Sequence, residues 1–200
     1  MPTAEDVSRL LDELEQGREQ AFDELFSLLY DELRALARGQ RRKWAGRETL
    51  NTTALVHEAY LKLAAQPSTT WKSKAHFLAA AAKAIRHIML NYARDQQALK
   101  RGGGWQRTSM DPAELRANGD AEGVIAKPEV LISLDDALRR LAGVSERLSR
   151  IVECRFFGGM SIEQTAGALN LSTATVTRGW ATAQAWLYRE LGPHTGSAGA

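Results

Sequence analysis

The sequence predicts an all-α protein made of two small helical domains joined by a flexible linker, the C-terminal one containing a helix-turn-helix. Three observations carry that expectation. Apolar residues recur every three or four positions in block after block. Serine, threonine or asparagine with capping spacing stands at the head of most blocks. No stretch has convincing strand alternation. The expected boundaries are residues 1–102 for the first domain, 103–128 for the linker, 129–191 for the second domain and 192–200 for a small-residue, disordered tail.

Thr3 and Asp6 have capping-box spacing ahead of Val7, Leu10, Leu11 and Leu14, a short amphipathic helix that Gly17 can end. Phe22, Leu25, Phe26, Leu29, Leu33 and Leu36 then read as one longer helix, acidic early and basic late, as the helix dipole favours. Gly39 to Thr49 is basic and loses the apolar pattern, which suits a loop or frayed helix end. Asn51 or Thr52 can cap the next helix, with Leu55, Val56, Ala59, Tyr60 and Leu63 inward and His57, Glu58, Leu61 and Lys62 outward. Pro67-Ser68-Thr69-Thr70 breaks the chain before Ser73 opens a long helix. In that helix Phe77, Ala81, Ala84, Ile85, Ile88 and Tyr92 point inward, and Lys83, Arg86, His87, Asn91 and Arg94 form a basic outer face.

From Gly102 to Pro128 glycine and polar residues replace periodicity, which marks the linker. Ser133 and Asp136 have capping-like spacing before Leu134, Leu138 and Leu141. Ser145 can cap a further helix with Leu148, Ile151, Val152 and Phe156 inside and Arg147, Arg150 and Arg155 outside, ended by Gly158 and Gly159. Ser161-Ile162-Glu163-Gln164 is a second capping box. Its helix should stop near Leu169, because Asn170 tolerates a left-handed turn and Ser172 can cap another helix. In that last helix Val176, Trp180, Ala183, Leu187 and Leu191 make the buried stripe, while Thr173, Thr177, Arg178 and Ala181 face away. Such an outward face at the start of a second helix is what a helix-turn-helix lays in the DNA major groove, although a purely structural helical hairpin has the same spacing.

The formal net charge is only +2, but it is unevenly spread. Glu5 to Asp31 is acidic, whereas Arg34 to Arg47 and Lys72 to Arg107 are almost purely basic, which suggests an anionic partner for the middle of the chain. Trp71 and Phe77 lie beside Lys72, Lys74 and His76; a positive track with aromatic rings is the way single-stranded nucleic acid is held, although Phe77 suits the core better. The single cysteine, Cys154, excludes an intrachain disulfide. The start, Met1 to Asp6, has no basic region followed by an apolar one, and no apolar run is long enough for a bilayer, so a cytoplasmic protein is expected. No convergent set of acids, bases, nucleophiles or ligands points to an enzyme or a cofactor. His57, His76 and His87, with Glu58, match no helical metal motif, so no metal is expected, and Gly102-Gly103-Gly104 has neither the strand nor the lysine-serine pair of a phosphate loop.

Several of these stretches together resemble bacterial RNA polymerase sigma factors of the extracytoplasmic-function (ECF) group, over about Ala21 to Leu191. The most specific are Thr53-Ala54-Leu55-Val56-His57-Glu58-Ala59-Tyr60-Leu61-Lys62-Leu63, Asn91-Tyr92-Ala93-Arg94, Arg155-Phe156-Phe157-Gly158-Gly159-Met160-Ser161-Ile162-Glu163-Gln164-Thr165-Ala166 and Trp186-Leu187-Tyr188-Arg189-Glu190-Leu191. The resemblance implies that His57, Glu58, Leu61 and Lys62 dock on the clamp helices of the largest polymerase subunit. It implies that Trp71, Lys72, Lys74, Lys83, Arg86, His87, Asn91 and Arg94 read and melt the −10 promoter element. It assigns the −35 element to Thr173, Thr175, Thr177, Arg178 and Ala181, and gives the C-terminal domain a contact with the flap of the second-largest subunit. An anti-sigma factor joins the candidate partners, and no catalysis, cofactor or membrane insertion is implied.

The chain departs from the pattern at Asn91, where many members have aspartate, and at Thr177, Gly179, Ala181 and Gln184, where many carry charge. Gly179 should cost its helix roughly 1 kcal/mol relative to alanine. Two other readings fit parts of the sequence: a helix-turn-helix regulator whose N-terminal helices bind an effector or dimerise, and a helical metallohydrolase using His57, His76 or His87.

Overall fold

Thr3 and Asp6 form both halves of the expected capping box, and they start α1, Ala4–Glu15, ahead of buried Val7, Leu10 and Leu11. The computed structural model describes residues 3–43, 51–65, 71–99 and 128–191, and every regular element among them is helical. The loop parts read at 44–49 and 67–70, the linker up to residue 127 and the tail at 192–200 lie outside the described residues.

The single helix expected over Phe22 to Leu36 is instead two, α2 (Gln20–Leu28) and α3 (Tyr30–Lys43), interrupted at Leu29 with φ −98° and ψ 9°. The two halves have different main neighbours: α2 packs on α1, with Phe22 and Phe26 beside Tyr60, whereas α3 packs on the helices Thr52–Ala64 and Lys74–Leu99. A straight helix cannot aim one stripe in both directions, so the chain bends where they diverge. α3 also runs on to Lys43, into the stretch expected to be loop or frayed helix.

The helix α4, Thr52–Ala64, begins at Asn51, whose Oδ1 accepts the Ala54 amide at 2.7 Å. α5, Lys74–Leu99, begins at Ser73, whose Oγ accepts the His76 amide at 3.1 Å. With 26 residues it spans about 39 Å and is the axis of the molecule. α3 and α4 pack against it, and so do three elements of the C-terminal half.

That half begins with α6, Pro128–Val144. Ser133 therefore lies inside a helix and caps nothing, contrary to expectation, because buried Val130, Leu131 and Ile132 carry the helical pattern back past it. Ser145 does cap α7, Glu146–Val152. Residues Glu153–Phe157 then widen into one π-helical turn, closed by the Gly158 amide on Glu153 O at 2.9 Å. A Cβ at Gly158 would lie 2.4 Å from the Cys154 carbonyl oxygen, so only glycine fits this closure. The wider turn carries two successive phenylalanines, Phe156 and Phe157, both buried with ring centroids 4.8 Å apart. Two helices follow, α8 (Ile162–Leu169) and α9 (Thr173–Leu191).

One continuous apolar cluster joins the halves, from Leu25, Leu33 and Leu55 through Ile85, Ile88 and Met89 to Leu131, Leu134, Phe156 and Phe157. Burial of this cluster is the main force holding α5 between the two groups of helices.

Candidate nucleic-acid interface

The connection from α8 to α9 follows from local chemistry. Ser161 Oγ accepts the Gln164 amide at 3.1 Å, and Gln164 Oε1 accepts the Ser161 amide at 2.8 Å. The Ser161 hydroxyl also donates to Glu163, and that bond holds the Glu163 carboxyl below its usual range. Asn170 ends α8 in the left-handed region, φ 53° and ψ 50°. Ser172 Oγ accepts the Thr175 amide at 3.2 Å and starts α9. Val176, Trp180, Ala183, Leu187 and Leu191 are buried, as their spacing predicts, and Thr173, Thr177, Arg178 and Ala181 are exposed.

The exposed face is chemically plain. Thr177 donates its hydroxyl to Thr173 O and Thr182 donates to Arg178 O, each at 2.9 Å, so both hydroxyls are turned back onto the helix. Thr175 is half-buried, and its hydroxyl pairs with Ser172 Oγ at 2.8 Å, which makes it a part of the cap. Arg178 shares a cleft of about 300 Å³ with Arg147 of α7, beside Ser145 and Thr182. Two cations at one edge of the reading face suit a phosphate backbone. Gly179 faces α7: a Cβ there would lie 2.6 Å from Ile151 Cδ1. Arg155, expected outside, is half-buried over the Trp180 ring and donates to Met160 O.

Along α5 the expected basic face divides. Lys83, His87 and Asn91 are exposed, and Arg94 is partly so. Arg86 is not on that face: it is 4 % exposed, between Asp135 of α6, at 2.5 Å from Nη2, and Glu153 of the π turn, which pairs with Nη1. Its guanidinium also stands 5.3 Å from the Phe157 ring centroid. Arg94 and Arg139 approach the other oxygen of Asp135 at 3.5 and 3.0 Å. The expected outward position of Arg86 is thus corrected, because α6 and the π turn cover the side of α5 that it occupies.

Trp71 is corrected in the same way. Its ring is 6 % exposed, stacked on Phe22 at 5.6 Å and edge-on to Phe77 at 5.2 Å, and so presents no open face for a base. Lys72 beside it is exposed. Lys74 pairs with Glu32 at 2.7 Å, an exposed contact worth little energetically. His76 Nδ1 accepts the Lys72 amide at 3.3 Å; burial, then the charges of Arg150 and Lys72, push its pKa down. His87 is lowered as well, by partial desolvation and by Arg86 and Lys83.

On α4, His57, Leu61 and Lys62 are exposed, and Leu61 at 53 % is a large apolar side chain in solvent. Glu58 is half-buried and accepts the Tyr92 hydroxyl at 3.0 Å, which ties the α4 face to α5. Tyr60 donates to Asp23 at 2.7 Å and stacks beside His57. Among the described residues no three His, Cys, Asp or Glu side chains converge as a metal-holding group. No helix among them is long and apolar enough to cross a membrane.

Asp135, Glu153 and Arg139 join the cluster at Arg86 without a signal in the sequence that marks them. Nothing local distinguishes Asp135 from Asp136, because its partner Arg86 is 49 residues away. Arg147 was legible as an outward cation but not as a neighbour of Arg178.

With this geometry in view, comparison with protein families finds a model described as ECF sigma factor that matches residues 4–192. No curated protein and no solved structure matches the chain.

Proposed function

The chain belongs to the ECF sigma factor family, whose members direct transcription initiation, and on that footing we propose how it divides the work between three exposed faces. His57, Leu61 and Lys62 on α4 dock on the clamp helices of the largest polymerase subunit, with Leu61 as the apolar centre and Glu58 holding the face against Tyr92. Lys72, Lys83, His87, Asn91 and Arg94 track the melted −10 strand, and buried Arg86 and Trp71 pack beneath that face. The start of α9 lies in the major groove of the −35 element, with the helix-turn-helix also touching the flap of the second-largest subunit.

The single observation that supports this reading is an exposed leucine framed by charge on α4, next to the basic side of α5, in a chain that also offers the bare start of α9. An ordinary regulator with a helix-turn-helix has no use for the first two. Within the −35 reader, Arg178 and Arg147 supply phosphate or guanine contacts, and the threonine and alanine side chains supply small apolar contacts such as those that thymine methyl groups accept. The hydroxyls of Thr177 and Thr182 already bonded to the backbone make hydrogen-bonded base reading secondary.

Promoters are found by sequencing the transcripts made after overexpression, then tested with purified chain and core polymerase. Initiation at those promoters is expected; tight duplex binding without any association with core would overturn the reading in favour of a regulator. Arg178→Ala should cost about 1 to 3 kcal/mol and relax one promoter position if it grips a guanine edge. With phosphate contact only, binding weakens evenly over sequences and the salt slope falls by about one. No effect in either assay removes Arg178 from the interface.

A further inference from the structure

A cleft of about 660 Å³ has apolar walls from Leu36 of α3, Leu78 of α5 and Met160 after the π turn, and Gln40 of α3 lines it as well. Small-molecule sites have volumes of roughly 300 to 1,000 Å³ and pair apolar walls with a few placed polar groups. Gln40 is the polar group of this cleft, and it is 2 % exposed. Its Nε2 donates to the carbonyl oxygens of Phe156, at 3.2 Å, and of Phe157, which orients the amide. The other end of the amide, Oε1, is buried and has no hydrogen-bond partner. An acceptor left in that state carries a desolvation cost that one incoming donor offsets.

We propose that this cleft is a binding site for a neutral, mainly apolar small molecule whose one N–H or O–H group donates to Gln40 Oε1. The apolar body follows from the walls, and the donor follows from the unmet acceptor. Neutrality follows from the rim. Lys74 Nζ and Glu32 Oε1 stand there 2.7 Å apart, so each charge already has its counter-ion and neither a cationic nor an anionic ligand finds a free partner. Gly39 keeps the cleft open. Glycine is disfavoured inside a helix relative to alanine, and a Cβ at position 39 would meet nothing within 4 Å, so no close approach of a neighbour calls for it. Its missing side chain leaves room in the cleft that it lines.

The test uses the full chain with carbazole and dibenzofuran, neutral tricyclic probes of the same outline that differ in a ring N–H against a ring oxygen. Fluorescence anisotropy of carbazole gives its affinity and stoichiometry, and displacement of carbazole gives the affinity of dibenzofuran. Both are measured on the unaltered chain, on Gly39→Leu and on Gln40→Met, with circular dichroism as the check on folding. Expected is one carbazole per chain, with dibenzofuran weaker by about tenfold, the change that one hydrogen bond to a buried acceptor makes. Gly39→Leu, which fills the cleft from a position with open space, should abolish binding of both probes at unchanged helix content. Gln40→Met should bind the two probes equally. That variant also loses the bonds to Phe156 and Phe157, so if it misfolds, the probe pair on the unaltered chain and the Gly39→Leu result decide without it.

Absence of carbazole binding overturns the proposal, as does equal affinity of the unaltered chain for the two probes. Binding that survives Gly39→Leu overturns it too, because the probe then sits elsewhere, as does a preference for carbazole that persists in folded Gln40→Met. Sedimentation of the unaltered chain tests the rival occupant: self-association that Gly39→Leu abolishes would give the cleft to a second copy of the chain and overturn the small-molecule assignment. None of these outcomes bears on core-dependent initiation, which tests the sigma reading separately.

Discussion

Gly179 sits in the middle of α9, where a glycine costs about 1 kcal/mol against alanine by helix propensity alone. Taken alone, that figure makes Gly179→Ala a stabilising change. The structure reverses the sign. An added Cβ would stand 2.6 Å from Cδ1 of Ile151, a side chain with no exposed surface, and 3.4 Å from Leu148 Cδ2. Overpacking of such a seam costs about 1 to 3 kcal/mol, so the net effect is a loss of roughly 0 to 2 kcal/mol. Removal of the clashing atom should restore the gain. In an Ile151→Val background, itself costing about 0.5 to 1.5 kcal/mol, Gly179→Ala should stabilise, and the two changes should couple by about 1 kcal/mol or more. Gly167 in α8 is the internal control: a Cβ there would meet nothing within 4 Å and the residue is exposed, so Gly167→Ala should gain up to about 1 kcal/mol. Urea unfolding of the unaltered chain, the three single variants and the double variant measures all of this. If Gly179→Ala stabilises the native background as Gly167→Ala does, close approach of α9 to α7 is not what the glycine is for.

The remaining predictions concern exposure and titration. Leu61→Arg should leave stability within about 0.5 kcal/mol, because the side chain is already in solvent, while core polymerase binding weakens by more than about tenfold; a pull-down with titrated core reads the second effect, and unchanged binding removes Leu61 from the docking face. Burial, reinforced by the Glu153 charge, pushes the Cys154 thiol up to about 12, so at neutral pH it should alkylate slowly when folded and fast in urea; equal rates would contradict its burial. His76 and His87 both titrate below the ordinary 6.5 in the folded chain. The unfolded chain therefore takes up protons first, and the stability that the neutral rings contribute is present above about pH 6.5 and lost as pH falls through the folded values. Unfolding at pH 7.5 and pH 5.5 should show that loss, and the double variant His76→Asn, His87→Gln should flatten it; an unflattened slope assigns the loss to other groups.

What could be read from the chain by itself is what acts within a few residues. The capping boxes at Thr3 and Ser161, the caps at Asn51, Ser73, Ser145 and Ser172, and the left-handed Asn170 all stand where their side-chain chemistry puts them. The buried stripe and bare face of α9 follow from a 3.6-residue period on a helix with one packed side. The same period misplaced Arg86, since α5 is packed on more than one side and a helix between two partners has less free surface than its polar residues suggest. Trp71 was misplaced because a polar neighbourhood in sequence says nothing of the aromatic group that Phe22 and Phe77 assemble around it in space. The bend at Leu29, the π turn at Glu153–Phe157 and the approach permitted by Gly179 were decided by neighbours brought from elsewhere in the chain. Tertiary structure alone set Asp135 and Glu153 against Arg86, because the energy of that contact exists only once desolvated charges from two distant segments share one site.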